Sequence, residues 1–216
     1  ELRKRIKAIM THAQSFDPKA IVIGCNTIDS LFETYVNTFC QNVFHIVGPT
    51  AKESLKDKGS KEIVVLGTHM TIESRSYAKS MILGSGDKNV YGVDCSGLAD
   101  LIENQENVNK LLDEVLEDVP VKKVKKVILG CTHYSSISKE IQQRFPDSEI
   151  VDSSEVAANN MVNYFNRHFL TTNKTNTDEF YTTKDVDNFN AQLKMLKIYN
   201  HLIFLFYQIE HQQFSE

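Results

Sequence analysis

The chain has 216 residues, 41% of them hydrophobic and 24% charged, with a formal net charge of −4. That composition belongs to a soluble globular protein with enough apolar chain to bury a core in one large or two small domains. The negative balance argues against a nucleic-acid partner or a membrane-surface role, since both call for a basic face.

In chain order, the opening reads as a helix already running at Glu1, carried by Leu2, Ile6, Ile9 and Met10. The chain is therefore expected to continue upstream. "AIVIG" (20–24) is a continuous apolar run of buried-strand type. Ile28, Leu31, Phe32, Tyr35, Val36 and Phe39 then fall on one helical face. "NVFHIVG" (42–48) reads as a strand ended by Pro49, followed by a helix over about 51–58. Next come "EIVVLG" (62–67) as a strand, a helix over 72–82, "NVYGVDC" (89–95) as a strand and a longer helix over 98–116. "KVILG" (126–130), a helix over 137–145, "EIVD" (149–152) and a helix over 155–169 complete the alternation. Strands that are apolar on both faces and alternate with helices predict an α/β fold with a parallel sheet covered by helices. The segment 171–178 is polar and reads as a loop; "EFYTT" follows as a short strand and 186–198 as a last amphipathic helix. The tail from Tyr199 carries Phe and Leu without helix caps and matches no pattern. Its apolar stretch, "IYNHLIFLFYQI", is too short and too polar to span a bilayer. The basic cluster "KKVKK" (122–126) reads as a solvated strand entry.

The four cysteines, Cys25, Cys40, Cys95 and Cys131, show no C-x-x-C pair and no zinc or haem spacing. Free thiols imply a reducing compartment, and with no signal peptide visible the expected location is the cytosol.

Two of the cysteines sit in matched frames. "IVIGCNT" (21–27) and "VILGCTHY" (127–134) are each an apolar strand, Gly, Cys, then small polar residues opening a helix; "VVLGTHMT" (64–71) repeats the frame with Thr. In open parallel sheets, ligands bind outside the carboxyl ends of strands. Helix starts there offer free N–H donors that suit a carboxylate and favour a thiolate. A lone cysteine after a strand is more often a small buried hydrophobe; two in matching frames make Cys25 and Cys131 candidate reactive thiols. Cys40 and Cys95 lack the context and read as structural. Two thiols on either side of a small carboxylate-bearing substrate imply two-base proton transfer that inverts a stereocentre. No Gly-rich nucleotide loop or Walker pattern is present, so no cofactor is expected. The Cys-Asn and Cys-Thr-His spacings do not preorganise a tetrahedral metal site.

"IGCNT", "LGTHMTIES" and "LGCTHYSSI" closely resemble the signatures of the glutamate racemases, within the aspartate/glutamate racemase superfamily. The likeness continues through "IVDSSEVAANNMVNYF" to "FYTT…FNAQLKML". It implies two similar lobes, each a parallel β-sheet flanked by helices, with the active site between them. Residues 1–47 and 153–216 would form the first lobe and 48–152 the second. The resemblance implies cofactor-independent interconversion of L- and D-glutamate, supplying D-glutamate for peptidoglycan, with Cys25 and Cys131 as the acid/base pair. Asn26 and Thr27 would bind substrate beside Cys25, Thr132 and His133 beside Cys131, and Thr68 and Thr71 would line the site. His133 would also tune its neighbouring thiol; His69 matches a variable position. The implied partner is a small molecule, glutamate, with no nucleic acid or membrane, and a homodimer is common in the family. The family's Asp-Ser-Gly-x-Gly-Gly strand end and Tyr-Gly loop are not in this sequence, and Ser135 stands where Pro is usual. Two alternatives stay open: a racemase of aspartate or another amino acid, and a catalytically impaired fragment that keeps the fold.

Overall fold

The computed structural model describes residues 1–56, 62–82, 88–168, 178–182, 187, 189 and 204–208, with the backbone alone at 178–180 and 204–208. Helix α1 (Leu2–Gln14) leads to β1 (Ile21–Val22), α2 (Asn26–Val36), β2 (Val43–Phe44) and α3 (Val47–Ser54). Strand β3 (Glu62–Gly67) is followed by α4 (His69–Ser74), α5 (Ser76–Ile82), β4 (Asn89–Asp94), α6 (Leu98–Glu103) and α7 (Asn109–Val115). Then come β5 (Lys126–Gly130), a 3-10 turn (Thr132–Ile137), α8 (Ser138–Arg144), β6 (Glu149–Asp152) and α9 (Ser153–Arg167). Strands β7 (Asp178–Thr182) and β8 (Phe204–Gln208) pair in parallel. The expected loop at 171–177 and all but two residues of the expected helix at 186–198 lie outside the described residues.

The fold is α/β with parallel sheets flanked by helices. The larger sheet has the order β4-β3-β5-β6 and the smaller pairs β1 with β2. Every residue of β5, and all of β3 after Glu62, is buried because helices cover both faces. Alternation divides the strands cleanly. Val64, Leu66, Val127 and Leu129 point toward Leu98, Leu112, Ile141 and Phe145. Ile63, Val65 and Ile128 point toward Val47, Ala51, Tyr77 and Met81. Ile6 and Met10 of α1 pack on Ile21, Ile23 and Val36 to form a separate core around the small sheet. Phe44 joins that sheet to α9 through an edge-on contact with Tyr164, centroids 5.1 Å apart.

The boundaries differ from the sequence reading where side chains intercept the backbone. The strand expected at 42–48 stops at Phe44 because the buried carboxylate of Asp29 takes the N–H groups of Ile46 and Val47, at 2.9 and 2.8 Å. That bond starts α3 instead, four residues before the expected helix. Pro49 sits harmlessly in its first turn, where an N–H has no partner to lose. The helix expected at 72–82 is two helices, broken at Arg75, which adopts a left-handed conformation (φ 54°). The helix expected at 98–116 is likewise broken, with Gln105 at φ 58° and the Asn107 side chain capping the N–H of Asn109 at 2.9 Å. Lys126 is not part of a solvated strand entry. It is 2% exposed, enclosed between β3 and β6, and its ammonium lies 3.1 Å from Glu149, its register partner on β6.

The glycines of the two cysteine turns are not equivalent. A Cβ on Gly130 would lie 2.8 Å from the Leu66 carbonyl oxygen and 3.0 Å from Val65, a clash with backbone; one on Gly24 would meet nothing within 4 Å. Gly130→Ala should therefore destabilise the protein by about 1–3 kcal/mol in urea unfolding, while Gly24→Ala changes stability little. Equal effects would contradict the close approach of β5 to β3. The second prediction concerns His45, whose Nδ1 bonds the buried Asp29 carboxylate and whose pKa is raised above its ordinary value, chiefly by that bond. A folded-state pKa above the unfolded one adds stability that is complete below the unfolded value and is lost as pH rises through the folded one. The stability gap between wild type and His45→Ala should thus be widest near pH 6 and narrow toward pH 9 (unfolding at roughly half-unit steps, referred to an unperturbed histidine near 6.5). A constant gap would contradict it.

Candidate functional site

Register brings two of the three repeated turns together. Gly67 of β3 pairs with Gly130 of β5, so Thr68 and Cys131 leave the carboxyl edge of the large sheet side by side. Cys131 caps the 3-10 turn and Cys25 caps α2, both with extended backbone. The carboxyl end of the small sheet delivers the Cys25 turn onto this edge. The Thr27 hydroxyl lies 2.8 Å from that of Thr68 and 3.2 Å from that of Thr71, which are themselves 3.1 Å apart. One turn of α2 further on, the hydroxyls of Ser30 and Ser76 meet at 2.7 Å. Thr27, Thr68 and Thr71 therefore form one hydroxyl cluster where α2 crosses the start of α4.

Asn26 is drawn away from this cluster. It is 2% exposed, its Oδ1 accepts from Tyr77 at 2.5 Å and its Nδ2 donates to Ser153 at 3.1 Å. Its side chain is thus occupied within the protein, and its backbone N–H belongs to the unpaired first turn of α2. Thr132 is half-buried at the first position of the 3-10 turn. His69 stands at the rim, its Nδ1 2.8 Å from Asp94 and its backbone N–H donated to Ser96 at 3.2 Å. Ser135 sits in the 3-10 turn with its hydroxyl 3.1 Å from that of Ser154, so the residue found there in place of Pro ties the turn to α9.

On the far side of Cys131, His133 Nδ1 lies 3.7 Å from the sulfur and its Nε2 lies 2.8 Å from Glu103, at the end of α6. A carboxylate only accepts, so Nε2 carries the ring proton and Nδ1 faces the thiol as an acceptor. Sequence reading missed Glu103. It lies 30 residues from His133 in a segment with no motif of its own, and only the fold brings the two together. Beyond this pair opens a cleft of about 570 Å³ lined by Ile102, Glu106, Val108 and Ile137 among others.

The electrostatics depart from the expectation of a thiol pKa lowered at a helix start. Burial raises the pKa of Cys131, and this outweighs the backbone N–H groups of His133 and Tyr134, which lower it; Cys25 and Glu103 raise it further. Cys131 rests as a thiol. Cys95 is wholly buried in the core with its thiol pushed up to about 12 by burial, as befits a structural residue. Cys40 donates to the Asn42 carbonyl at 3.5 Å, remote from the turns. Among the described residues no group of three or more His, Cys, Asp and Glu could hold a metal ion, and no helix is long and apolar enough to cross a membrane.

The Asp/Glu/Hydantoin racemase family matches residues 3–161, more than half of the chain. Glutamate racemase 3 of Caldanaerobacter subterraneus is 29% identical over 203 residues, covering 91% of this chain and 74% of its own length. The glutamate racemase of Persephonella marina is 30% identical over 180 residues, covering 81% of this chain and 68% of its own. Among solved structures, glutamate racemase from Francisella tularensis in complex with D-glutamate superposes with a TM-score of 0.81 at 24% identity, over 94% of this chain and 77% of that one. The chain is thus a member of the Asp/Glu/hydantoin racemase family, with glutamate racemases as its relatives.

Proposed function

We propose that this chain interconverts L- and D-glutamate without a cofactor, with Cys25 and Cys131 as the two proton-transfer groups. The observation that carries the reading is the Thr27–Thr68 contact of 2.8 Å, which brings the turn after Cys25 against the neighbour of Cys131. Substrate would lie between a first lobe of residues 1–47 and 153–216 and a second of 48–152. The relatives' activity and the D-glutamate in the Francisella complex support glutamate as the ligand. The hydroxyls of Thr27, Thr68, Thr71 and Thr132, with first-turn N–H groups of α2, are donors suited to the two carboxylates. Asn26 contributes from its backbone.

The chemistry follows from the protonation states. One cysteine as thiolate removes the α-proton while the other as thiol returns one to the opposite face, so each turnover exchanges their roles. The α-proton is very weakly acidic, and the donors around the carboxylate must stabilise the developing carbanion. Burial keeps Cys131 protonated at rest, ready to donate. Where both thiols start protonated, His133 Nδ1, held by Glu103, is placed to take the Cys131 proton, which leaves Cys131 as the base and Cys25 as the acid. Polypeptides of this activity supply D-glutamate for peptidoglycan in the cytosol, the role we assign here; a homodimer fits the family pattern.

Two measurements test this. Added L-glutamate in deuterated water should lose its optical activity and gain deuterium at the α-carbon. Cys25→Ala and Cys131→Ala should each lower that rate by about three orders of magnitude; full activity in both variants would end the two-thiol reading. Glu103→Gln should lower the rate by roughly one to two orders of magnitude and raise the primary isotope effect for one enantiomer more than for the other. Symmetric isotope effects would remove Glu103 from the Cys131 side of the reaction.

A further inference from the structure

Behind the candidate site, and outside every role assigned above, runs a buried chain of hydrogen bonds. Tyr77 Oη lies 2.5 Å from Asn26 Oδ1, Asn26 Nδ2 lies 3.1 Å from Ser153 Oγ, and Ser153 Oγ lies 2.6 Å from the Leu129 carbonyl. Tyr77, Asn26 and Ser153 are 3%, 2% and 0% exposed. The chain draws on α5, α2, α9 and β5, and two of its members stand next to the reactive cysteines in sequence. Asn26 directly follows Cys25, and Leu129 stands two residues before Cys131.

Its polarity is fixed from one end. The Leu129 carbonyl can only accept, so the Ser153 hydroxyl spends its proton there and must itself accept from Asn26. Only the amide nitrogen can donate to it, which turns Oδ1 toward Tyr77 and obliges the phenol to donate. Every bond then runs in the same sense, from Tyr77 to Leu129, and no member can turn without leaving a buried polar atom unpaired. Burial also keeps the Tyr77 phenol protonated well above neutral pH, as the donor role needs.

We propose that Tyr77 and Ser153 are positioning residues that act through Asn26, locking the turn that carries Cys25 against the strand that carries Cys131. The proposal rests on the assignment of these two cysteines as the reacting pair. It adds that their separation is set from behind the site, by groups that touch no substrate. The hydroxyl cluster in front is shared with the ligand and must rearrange when one binds; the buried chain does not.

The test uses the full chain and two readouts. The first is the iodoacetamide alkylation rate of Cys25 relative to Cys40, read by mass spectrometry in the folded protein. Both thiols are half-buried, and Cys40 lies in a different setting, so the ratio cancels a general loosening. Tyr77→Phe and Ser153→Ala should each change the ratio by about threefold or more, and the double variant should do no more than the larger single change, since both break one chain. The second is α-proton exchange, where kcat should fall about tenfold and by a larger factor than KM rises, because the chain sets the position of Cys25 while the binding groups of the same turn are retained in both variants. An unchanged ratio in both variants, or effects that multiply in the double variant, would overturn the proposal. Where Tyr77→Phe fails to fold, Ser153→Ala alone decides it by the same ratio. A wild-type chain with no exchange would defeat the racemase reading through the second readout, while the thiol ratio would still decide whether the buried chain sets Cys25.

Discussion

A buried amide ties the start of α2 to helices that pack on the larger sheet. Asn26 begins the helix that leaves the small sheet, yet its side chain is satisfied by α5 and α9, which pack on the larger one. Leaving a buried amide without partners costs on the order of 1–3 kcal/mol by mutational measures, so the helix start cannot lift away without that penalty. Asp29, three residues along, adds to the constraint. Its carboxylate, 3% exposed, gathers the N–H groups of Ile46 and Val47 and the ring of His45. An uncompensated buried carboxylate is costlier than an amide, which fixes where α3 begins and so how the chain enters the larger sheet.

The two cysteine turns look alike as sequence and differ as physics. Gly130 is compelled, because β5 runs so close to β3 that a methyl group would strike the Leu66 carbonyl; Gly24 is under no such pressure. The thiols diverge in the same way. Cys131 is 8% exposed with a histidine and a carboxylate behind it, whereas Cys25 is half-buried, at the front of a longer helix. For Cys131, desolvation wins over the helix-start donors, the reverse of what the local motif alone implies. The two-thiol reaction proposed above would thus be served by an asymmetric pair of groups, Cys131 kept protonated by burial and Cys25 more open to its surroundings.

How much of this was legible in the sequence depends on the range of the interaction. Continuous apolar runs marked β3 and β5 to the residue, because a strand buried on both faces favours apolar residues throughout; β6 was marked as well, although only Val151 of it is buried. Periodicity ran straight through Arg75 and Gln105, since a left-handed residue changes the chain's direction without changing the hydrophobic pattern. The early end of β2 was hidden for another reason: the group that stops it, Asp29, lies seventeen residues from Ile46 and reads only as a polar position on a helix. At the site, the cysteines and threonines were readable because their turns repeat. Glu103, Tyr77 and Ser153 were not, because each is joined to the site through a partner remote in sequence.

The same division explains why Asn26 changes character between sequence and structure. As part of Cys-Asn-Thr it reads as a ligand-binding amide, and its neighbour Thr27 does face the hydroxyl cluster. In an α-helix, successive side chains point about 100° apart. Of two adjacent residues at a helix start, one can face the hydroxyl cluster while the other turns elsewhere. Thr27 takes the cluster, and Asn26, the larger hydrogen-bonding group with both donor and acceptor, is the one able to satisfy a buried donor and a buried acceptor together. Asp29, one turn on from Asn26, is buried as Asn26 is, and Ser30, one turn on from Thr27, meets Ser76 on the same seam as the threonines. The motif therefore places two kinds of contact on two faces of one turn: Thr27 in the hydroxyl cluster with Thr68 and Thr71, and Asn26 in the buried hydrogen-bond chain.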